Sequence, residues 1–208
     1  QDIAGRKSLF TPVNRSVPDA AQKRKDWNGL ISGFKASDLV FLDESGCNTD
    51  MTRRYAYSLG GSRAVDSTPL SKPKNTTILS SIQLDGTLRY TTFSGGTTVE
   101  RFKRYLETDL LPHLNGNSVL IMDNMKSHHA KAVRNLLDSS GVRYIYLPPY
   151  SPDLNPIEKL WSKVKSFLRK FKARTLDALP NAIQCAFQTV SPSDCSGWFH
   201  SCGYSPYF

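Results

Sequence analysis

The chain has 208 residues, of which 39% are hydrophobic and 11% are aromatic, so it is large and apolar enough to fold as one domain with a buried core. Its 27 Lys and Arg residues outnumber 18 Asp and Glu residues, and the net charge of +9 favours a polyanionic partner such as a nucleic acid. No apolar run reaches the roughly 18 residues of a membrane span and no signal-peptide core follows the N-terminus, so we expect an intracellular protein without a membrane partner.

The first half of the sequence predicts a leader, one helix and several strands. Residues 1–17 show no periodicity and are expected to be a leader or linker, while apolar residues three to four apart predict a helix over 18–34. Short apolar or β-rich runs then predict strands. These runs are 39–42, which ends at Asp43, then 53–61, and then 75–96, where Asp85-Gly86 predicts a hairpin turn.

The second half predicts helices that alternate with strands. The apolar run 119–122 predicts a buried strand that stops at Asp123. The other predicted elements are helices over 98–111, 127–139 and 156–171, a strand over 142–148, and one or two closing helices. This order predicts an α/β fold in which helices flank a central mixed five-stranded sheet, with 18–208 as a single domain.

Asp43 and Asp123 each follow a buried apolar run. Side chains at the strand ends of an α/β sheet face the crevice where such folds bind ligands, and neighbouring strands would bring the two carboxylates together. Like charges this close repel unless a cation bridges them, and a set of oxygen ligands suits Mg²⁺ or Mn²⁺. Taken singly, each aspartate is explained equally well as a turn or cap residue.

Glu158 is the third acidic candidate, at the start of the helix predicted over 156–171. Asn155 suits the N-cap and Pro156 the first helical position, which places Glu158 at the capping-box position. Glu158 also lies on the flank of an apolar stripe, where a carboxylate held by the preceding prolines could reach a metal. The stripe comprises Ile157, Leu160, Trp161, Val164, Leu168 and Phe171. Capping and metal binding are compatible, and the rival carboxylate Asp153 lies in the loop before the helix.

Three sequence blocks, "FLDESG", "IMDNMKSHHA" and "LPPYSPDLNPIEKLW", occur in this order, and 34 residues separate Asp123 from Glu158. With these blocks and this spacing, the chain resembles the DDE transposases of the mariner superfamily, in particular their bacterial insertion-sequence branch, from about Pro18 to the chain end. The resemblance implies a ribonuclease H-like fold. It also implies that Asp43, Asp123 and Glu158 are a catalytic triad that holds two Mg²⁺ or Mn²⁺ ions.

The resemblance further implies a reaction, partners and a location. We expect endonuclease activity at the ends of a DNA element and transfer of the freed 3′-hydroxyl into target DNA at a TA dinucleotide. The expected partners are double-stranded DNA and a second copy of the chain, without a small-molecule cofactor, in the bacterial cytoplasm and associated with the nucleoid. The family's N-terminal helix-turn-helix region is expected to be absent, because residues 1–17 are too few to form one. A metal-dependent nuclease without strand transfer, or a non-catalytic DNA-binding protein derived from a transposase, remains the alternative.

Further residues are expected around the carboxylates or on the DNA. Asn124 and His128 follow Asp123 and are expected to orient its surroundings, although turn and helix-start roles explain them as well. The residues expected to contact DNA are Arg53, Arg54, Lys72, Lys74, Lys165 and Arg169. Cys195, His200 and Cys202 lie close together in sequence, which is compatible with either a zinc site or reduced thiols.

Overall fold

The computed structural model describes residues 18–53, 55, 58, 60, 62–68 and 73–204. Its centre is a five-stranded mixed sheet in the order β3-β2-β1-β4-β5. The strands are β1 (Leu39–Cys47), β2 (Thr76–Gln83), β3 (Leu88–Ser94), β4 (Val119–Met122) and β5 (Arg143–Tyr146). β2 pairs antiparallel with both β1 and β3, whereas β4 pairs parallel with both β1 and β5. The predicted mixed sheet is therefore confirmed.

In the described part of the chain, six α-helices cover the two faces of this sheet. They are α1 (Pro18–Ile31), α2 (Val99–Tyr105), α3 (Lys131–Ser140), α4 (Ile157–Phe171), α5 (Ala178–Gln188) and α6 (Pro192–Ser201). Side chains of α1, α4, α5 and α6 share one buried cluster with Leu39 and Phe41, and those of α2 and α3 share the other with Val40 and Leu42. Successive β1 side chains thus alternate between the two layers. None of the described helices is long and apolar enough to cross a membrane.

Several element boundaries differ from the predicted ones. β1 continues past Asp43 to Cys47, because residues 43–47 still pair with β2 after the pairing with β4 has ended. The strand predicted over 53–61 is wrong at the positions that the structure describes there. α1 stops at Ile31 and α3 starts only at Lys131. After α2 the helical segment continues as a π-helix, Leu106–Leu110, and then as a 3₁₀ turn that ends at His113.

The hairpin between β2 and β3 turns at Asp85 and Gly86, as predicted. Gly86 donates its N–H to the Gln83 carbonyl and takes the left-handed conformation at φ 91°. A Cβ at this position would also lie 2.9 Å from the Pro192 Cα at the start of α6. Gly86 therefore permits both the turn and the close packing of the hairpin on α6.

Gly86→Ala is expected to lower the free energy of unfolding by about 2–3 kcal/mol, because alanine is strained at this φ and collides with the backbone of α6. Thermal unfolding measures the effect. Gly141→Ala is the matched control, since Gly141 has φ 70° but a Cβ there would meet no atom of the described residues within 4 Å. An equal loss in both variants would show that the contact with Pro192 adds nothing.

Candidate active site

The three predicted carboxylates line one pocket of about 430 Å³. β1 and β4 pair Leu42 with Met122, so Asp43 and Asp123 are the next residues on two neighbouring strands. Glu158 comes from the first turn of α4, which packs on the same face as Asp43. Three separate elements thus bring their acidic side chains to the same opening, and the fold itself determines this meeting.

Asp43 is held rigidly at the base of the pocket. Its side chain is 8% exposed, accepts the Glu44 N–H at 2.8 Å and accepts the Trp161 indole N–H at 3.1 Å. Burial raises the pKa of Asp43 to about 7, with a further increase from the charges of Glu158 and Asp123, against the lowering by the two hydrogen bonds. A buried carboxylate that is costly to ionise without a cation is suited to bind one.

This raised pKa predicts how stability depends on pH in EDTA. Above its unfolded pKa of 3.8, ionisation favours the unfolded chain until the pH passes about 7, so the wild type should lose stability between pH 4 and 7. Asp43→Asn cannot ionise, and relative to the wild type it should gain up to about 4 kcal/mol over this range, at ~1.4 kcal/mol per pKa unit. Urea unfolding from pH 4.5 to 8 measures the difference. Parallel pH profiles for the two proteins would contradict it.

Asp123 is fixed from behind by a buried histidine. His128 is fully buried, its Nδ1 lies 2.9 Å from Asp123 Oδ1, and its ring stacks on Phe102 with the centroids 4.2 Å apart. On the other side of the ring, Nε2 lies 3.3 Å from Glu44 Oε2, at ion-pair distance but outside hydrogen-bond geometry. The imidazole therefore bridges two carboxylates that come from adjacent strands.

The bridge changes the pKa of both partners. Burial lowers the pKa of His128, but the contacts with Asp123 and Glu44 outweigh it and raise the pKa to about 9, so the ring is charged at neutral pH. Burial raises the pKa of Asp123, but hydrogen bonds from His128 and the Met125 N–H outweigh it and leave the pKa below its ordinary value. Asp123 is therefore an ionised carboxylate with a fixed orientation.

Glu158 is exposed at the rim, and the predicted capping box is wrong. Pro156 occupies the N-cap and no described side chain caps α4 there. Asn155 is extended after a 3₁₀ turn, and its buried Oδ1 has no hydrogen-bond partner among the described residues. The Glu158 carboxylate is consequently not used as a cap. Partial burial of the carboxyl group raises the pKa of Glu158. The charge of Lys165 lowers it, and the charge of Asp123 raises it further.

The segment before α4 is anchored to two other elements. The Arg24 guanidinium donates to Ser151 Oγ at 2.7 Å and pairs with Asp153 at 2.6 Å, which ties α1 to the loop. Asn124 Nδ2 donates to the Leu147 carbonyl at 2.5 Å. Asn124, which lines the carboxylate pocket, thus holds the loop in place. The rival carboxylate Asp153 pairs with Arg24 and does not line the pocket.

Of the residues predicted to contact DNA, those that the structure describes do not line the carboxylate pocket. Arg53 and Lys74 are exposed between β1 and β2, and Arg54 and Lys72 lie outside the described residues. Lys165 and Arg169 lie partly exposed on α4, where the charge of Lys165 acts on Glu158. Trp161, predicted as a core residue, is buried but also donates to Asp43. Trp161 follows Glu158 by about one helical turn, and this spacing could have indicated the second role from the sequence.

The side chains present bear on two predicted metal sites, one for Mg²⁺ or Mn²⁺ at the carboxylates and one for zinc at the cysteines. The carboxylates of the pocket are hard oxygen ligands that fit Mg²⁺ or Mn²⁺. In this conformation, however, no group of three or more His, Cys, Asp or Glu side chains in the described part of the chain is arranged to hold an ion. Asp43 and Asp123 instead face Trp161 and His128. Cys195 and Cys202 are buried free thiols, so a zinc site with His200 is not formed.

The fold is similar to that of the Mos1 mariner transposase. The chain superimposes on the catalytic domain of Mos1 mariner transposase with a TM-score of 0.70 at 17% identity, covering 92% of this chain and 91% of that chain. For a pre-cleavage Mos1 transpososome the TM-score is 0.76 at 17% identity, with 96% and 63% covered. For the Mos1 paired-end complex with Mn it is 0.74 at 18% identity, with 96% and 62% covered. The ribonuclease H-like fold is therefore confirmed.

The sequence itself matches in two ways. The transposable element Tc1 transposase of Caenorhabditis elegans is 29% identical over 97 residues, which are 45% of this chain and 36% of that protein, so this chain spans about a third of its relative. The model of the family described as DDE superfamily endonuclease matches residues 38–180, more than half of the chain and all three carboxylates. This chain belongs to the DDE superfamily endonuclease family.

Proposed function

We propose that the chain is the catalytic domain of a DNA transposase, which cuts DNA strands at the ends of an element and joins the freed 3′-hydroxyl to target DNA. The observation that carries this proposal is the meeting of Asp43, Asp123 and Glu158 in one pocket. They come from two adjacent strands and one helix, and the site needs no nucleophilic side chain. The membership in an endonuclease family supports the same chemistry.

Asp43, Asp123 and Glu158 would hold two Mg²⁺ or Mn²⁺ ions. When bound, a pair of such ions activates the attacking oxygen and stabilises the leaving oxygen of a phosphodiester. The chain's own contribution is positional. Trp161 and the Glu44 N–H fix the two carboxylate oxygens of Asp43, and His128 fixes Oδ1 of Asp123. A carboxylate offers about four lone-pair sites, so lone pairs remain for the pocket. Glu158, on the exposed rim, is the ligand free to adjust as DNA enters.

The loop over the pocket is suited to contact DNA. Tyr150 is 57% exposed on the pocket wall, and its φ of 56° is strained for a bulky residue by about 1–3 kcal/mol. The contacts of Arg24 with the same loop keep it in place. An exposed aromatic ring held beside three carboxylates can stack on a base next to the scissile phosphate.

The finer features of the proposal follow from the relatives. The similar Mos1 structures include paired-end complexes with Mn and with Mg and a strand transfer complex. These complexes support our proposal of double-stranded DNA as substrate and of a dimer assembled on two DNA ends. The resemblance carried by the three sequence blocks supports a TA target. The three sequence blocks favour the bacterial insertion-sequence branch, which would place the protein in the cytoplasm with the nucleoid. An arrangement of residues 1–17 as a linker ahead of a catalytic domain 18–208 is part of the same proposal.

Nicking and joining assays test this function. The chain is incubated with supercoiled plasmid and with a labelled duplex that ends in a 3′-hydroxyl, in Mg²⁺, in Mn²⁺ or in EDTA. We expect nicked plasmid and plasmid-linked label with either metal and neither product in EDTA. Nicking without linked label would favour the plain nuclease. Binding of DNA without either product would favour the non-catalytic protein and overturn the proposal.

A further inference from the structure

An open trough of about 910 Å³ lies between α4 and α6, beside the candidate active site. Glu158 and Pro152 line both the trough and the carboxylate pocket, so the two spaces are adjacent. The walls of the trough are mostly basic or hydroxyl side chains, together with one exposed glycine. Six of them are Lys159, Ser162, Lys163, Ser166, Lys170 and Gly197. We call this feature the α4–α6 trough.

The charge of the trough is positive away from the pocket. Asp194 is its acidic residue apart from Glu158, and Lys163 Nζ lies 2.6 Å from Asp194 Oδ2. Lys159 and Lys170 therefore give the rest of the wall its charge. These two residues are eleven positions apart on α4, or about 16 Å, and a DNA strand carries one phosphate per roughly 3.4 Å of helix axis. The row is long enough to follow several phosphates of one strand.

Gly197 is an exposed glycine inside α6, on the wall of the α4–α6 trough. A glycine inside a helix costs roughly 0.5–1 kcal/mol relative to alanine, and no turn or positive φ requires one at this position. Crowding within the protein is not the reason either, because a Cβ at 197 would meet no atom of the described residues within 4 Å. What the glycine provides is bare backbone on the wall of the α4–α6 trough.

We propose that the α4–α6 trough binds the sugar–phosphate backbone of the DNA strand that leads into the carboxylate pocket. Lys159 and Lys170 pair with phosphates, Ser162 and Ser166 donate hydrogen bonds to phosphate oxygens, and Gly197 lets the strand lie against α6. This inference rests on the proposed function and adds the path of the DNA. It also assigns the DNA contacts of α4 to residues on the face that packs towards α6, whereas the sequence predicts Lys165 and Arg169.

Removal of the two lysines tests the electrostatic part. Lys159→Ala/Lys170→Ala is compared with Lys131→Ala/Arg134→Ala, which removes the same charge from α3 on the opposite face of the sheet. Fluorescence anisotropy of a labelled DNA duplex in EDTA gives Kd at several salt concentrations. The trough variant should bind about tenfold more weakly and lose about two units from the slope of log Kd against log salt, whereas the α3 variant should change little. Equal effects in the two variants would overturn the proposal.

A substitution that favours the fold tests the steric part. Gly197→Glu places a helix-forming, negatively charged side chain in open space, so it should raise Tm while it blocks the trough and weakens DNA binding at least about fivefold. Ser196→Glu adds the same charge to the neighbouring exposed residue of α6, about 100° around the helix, and should bind nearly as the wild type. Equal Kd values for DNA in these two variants would overturn the proposal that DNA lies in the trough.

The failure of the trough and that of the proposed function are distinguishable. Duplex binding is measured without metal, and nicking is measured with it. Normal binding by all trough variants in a protein that nicks DNA would overturn only the trough. A wild type that binds DNA with the predicted dependence on Lys159 and Lys170, but neither nicks nor joins it with any metal, would support the trough and overturn the proposed catalytic function.

Discussion

Glu158→Gln is expected to reduce metal-dependent nicking and joining by about a thousandfold or more. The amide keeps the size of the side chain but removes the negative charge that a divalent cation requires. Because the carboxylate is exposed and caps no backbone N–H in the described structure, the substitution should change the free energy of unfolding by only about 0.5 kcal/mol. Plasmid nicking rates and Tm, measured on the same preparations, separate the two effects.

Glu107→Gln is a matched control for this experiment. Glu107 is a partly exposed glutamate that pairs with Lys103 at 3.1 Å on the helical segment after α2, away from the carboxylate pocket. It should nick and join DNA like the wild type. A Glu158→Gln protein that melts at the wild-type temperature and still cuts at the wild-type rate would show that Glu158 is not a metal ligand.

His128→Ala is expected to damage both stability and activity. Loss of the ring leaves Asp123 and Glu44 as two carboxylates without their shared cation, and breaking a buried charge pair costs about 3–5 kcal/mol. Asp123 would also lose its orientation, which should weaken Mn²⁺ binding and nicking by about 10–100-fold. Urea unfolding and calorimetric titration with Mn²⁺ measure the two quantities.

Two further variants show which contact is responsible. His129→Ala removes the adjacent imidazole, which stacks on Tyr146 and contacts Asn124 instead, and it should change Mn²⁺ binding little. Glu44→Gln in the His128→Ala background removes the second unpaired charge and should restore part of the lost stability, which a double-mutant cycle quantifies. Strict additivity of the two substitutions would mean that Glu44 and His128 are not coupled.

Much of the site was predictable because it depends on local sequence and sheet geometry. Each apolar run that ends on an aspartate marks a buried strand, and the meeting of Asp43 with Asp123 needs only that β1 and β4 be neighbours. The position of Glu158 on α4 likewise follows from helical periodicity. These features depend on continuous apolar runs and on helical periodicity, both of which are directly visible in the chain.

The remainder depends on contacts between distant segments. Asn155 and Pro156 form a good capping sequence, but burial of the Asn155 side chain prevents the cap. His128 falls within the helix predicted over 127–139, whereas in the structure Asp123, Glu44 and Phe102 hold it in a turn before α3. The periodicity of α4 shows which residues leave the core, but only the packing of α6 shows that Lys159 and Lys170 face a trough.

The alternation along β1 also limits how the gene can change. Asp43 faces the pocket and Glu44 faces His128, because neighbouring residues of a strand point to opposite sides of the sheet. Deletion of one residue between Leu39 and Leu42 would therefore move either the apolar residues or the two acids to the wrong side of the sheet, and should abolish folding or activity. Length variation among natural homologues should instead concentrate between Cys47 and Thr76, outside the paired register.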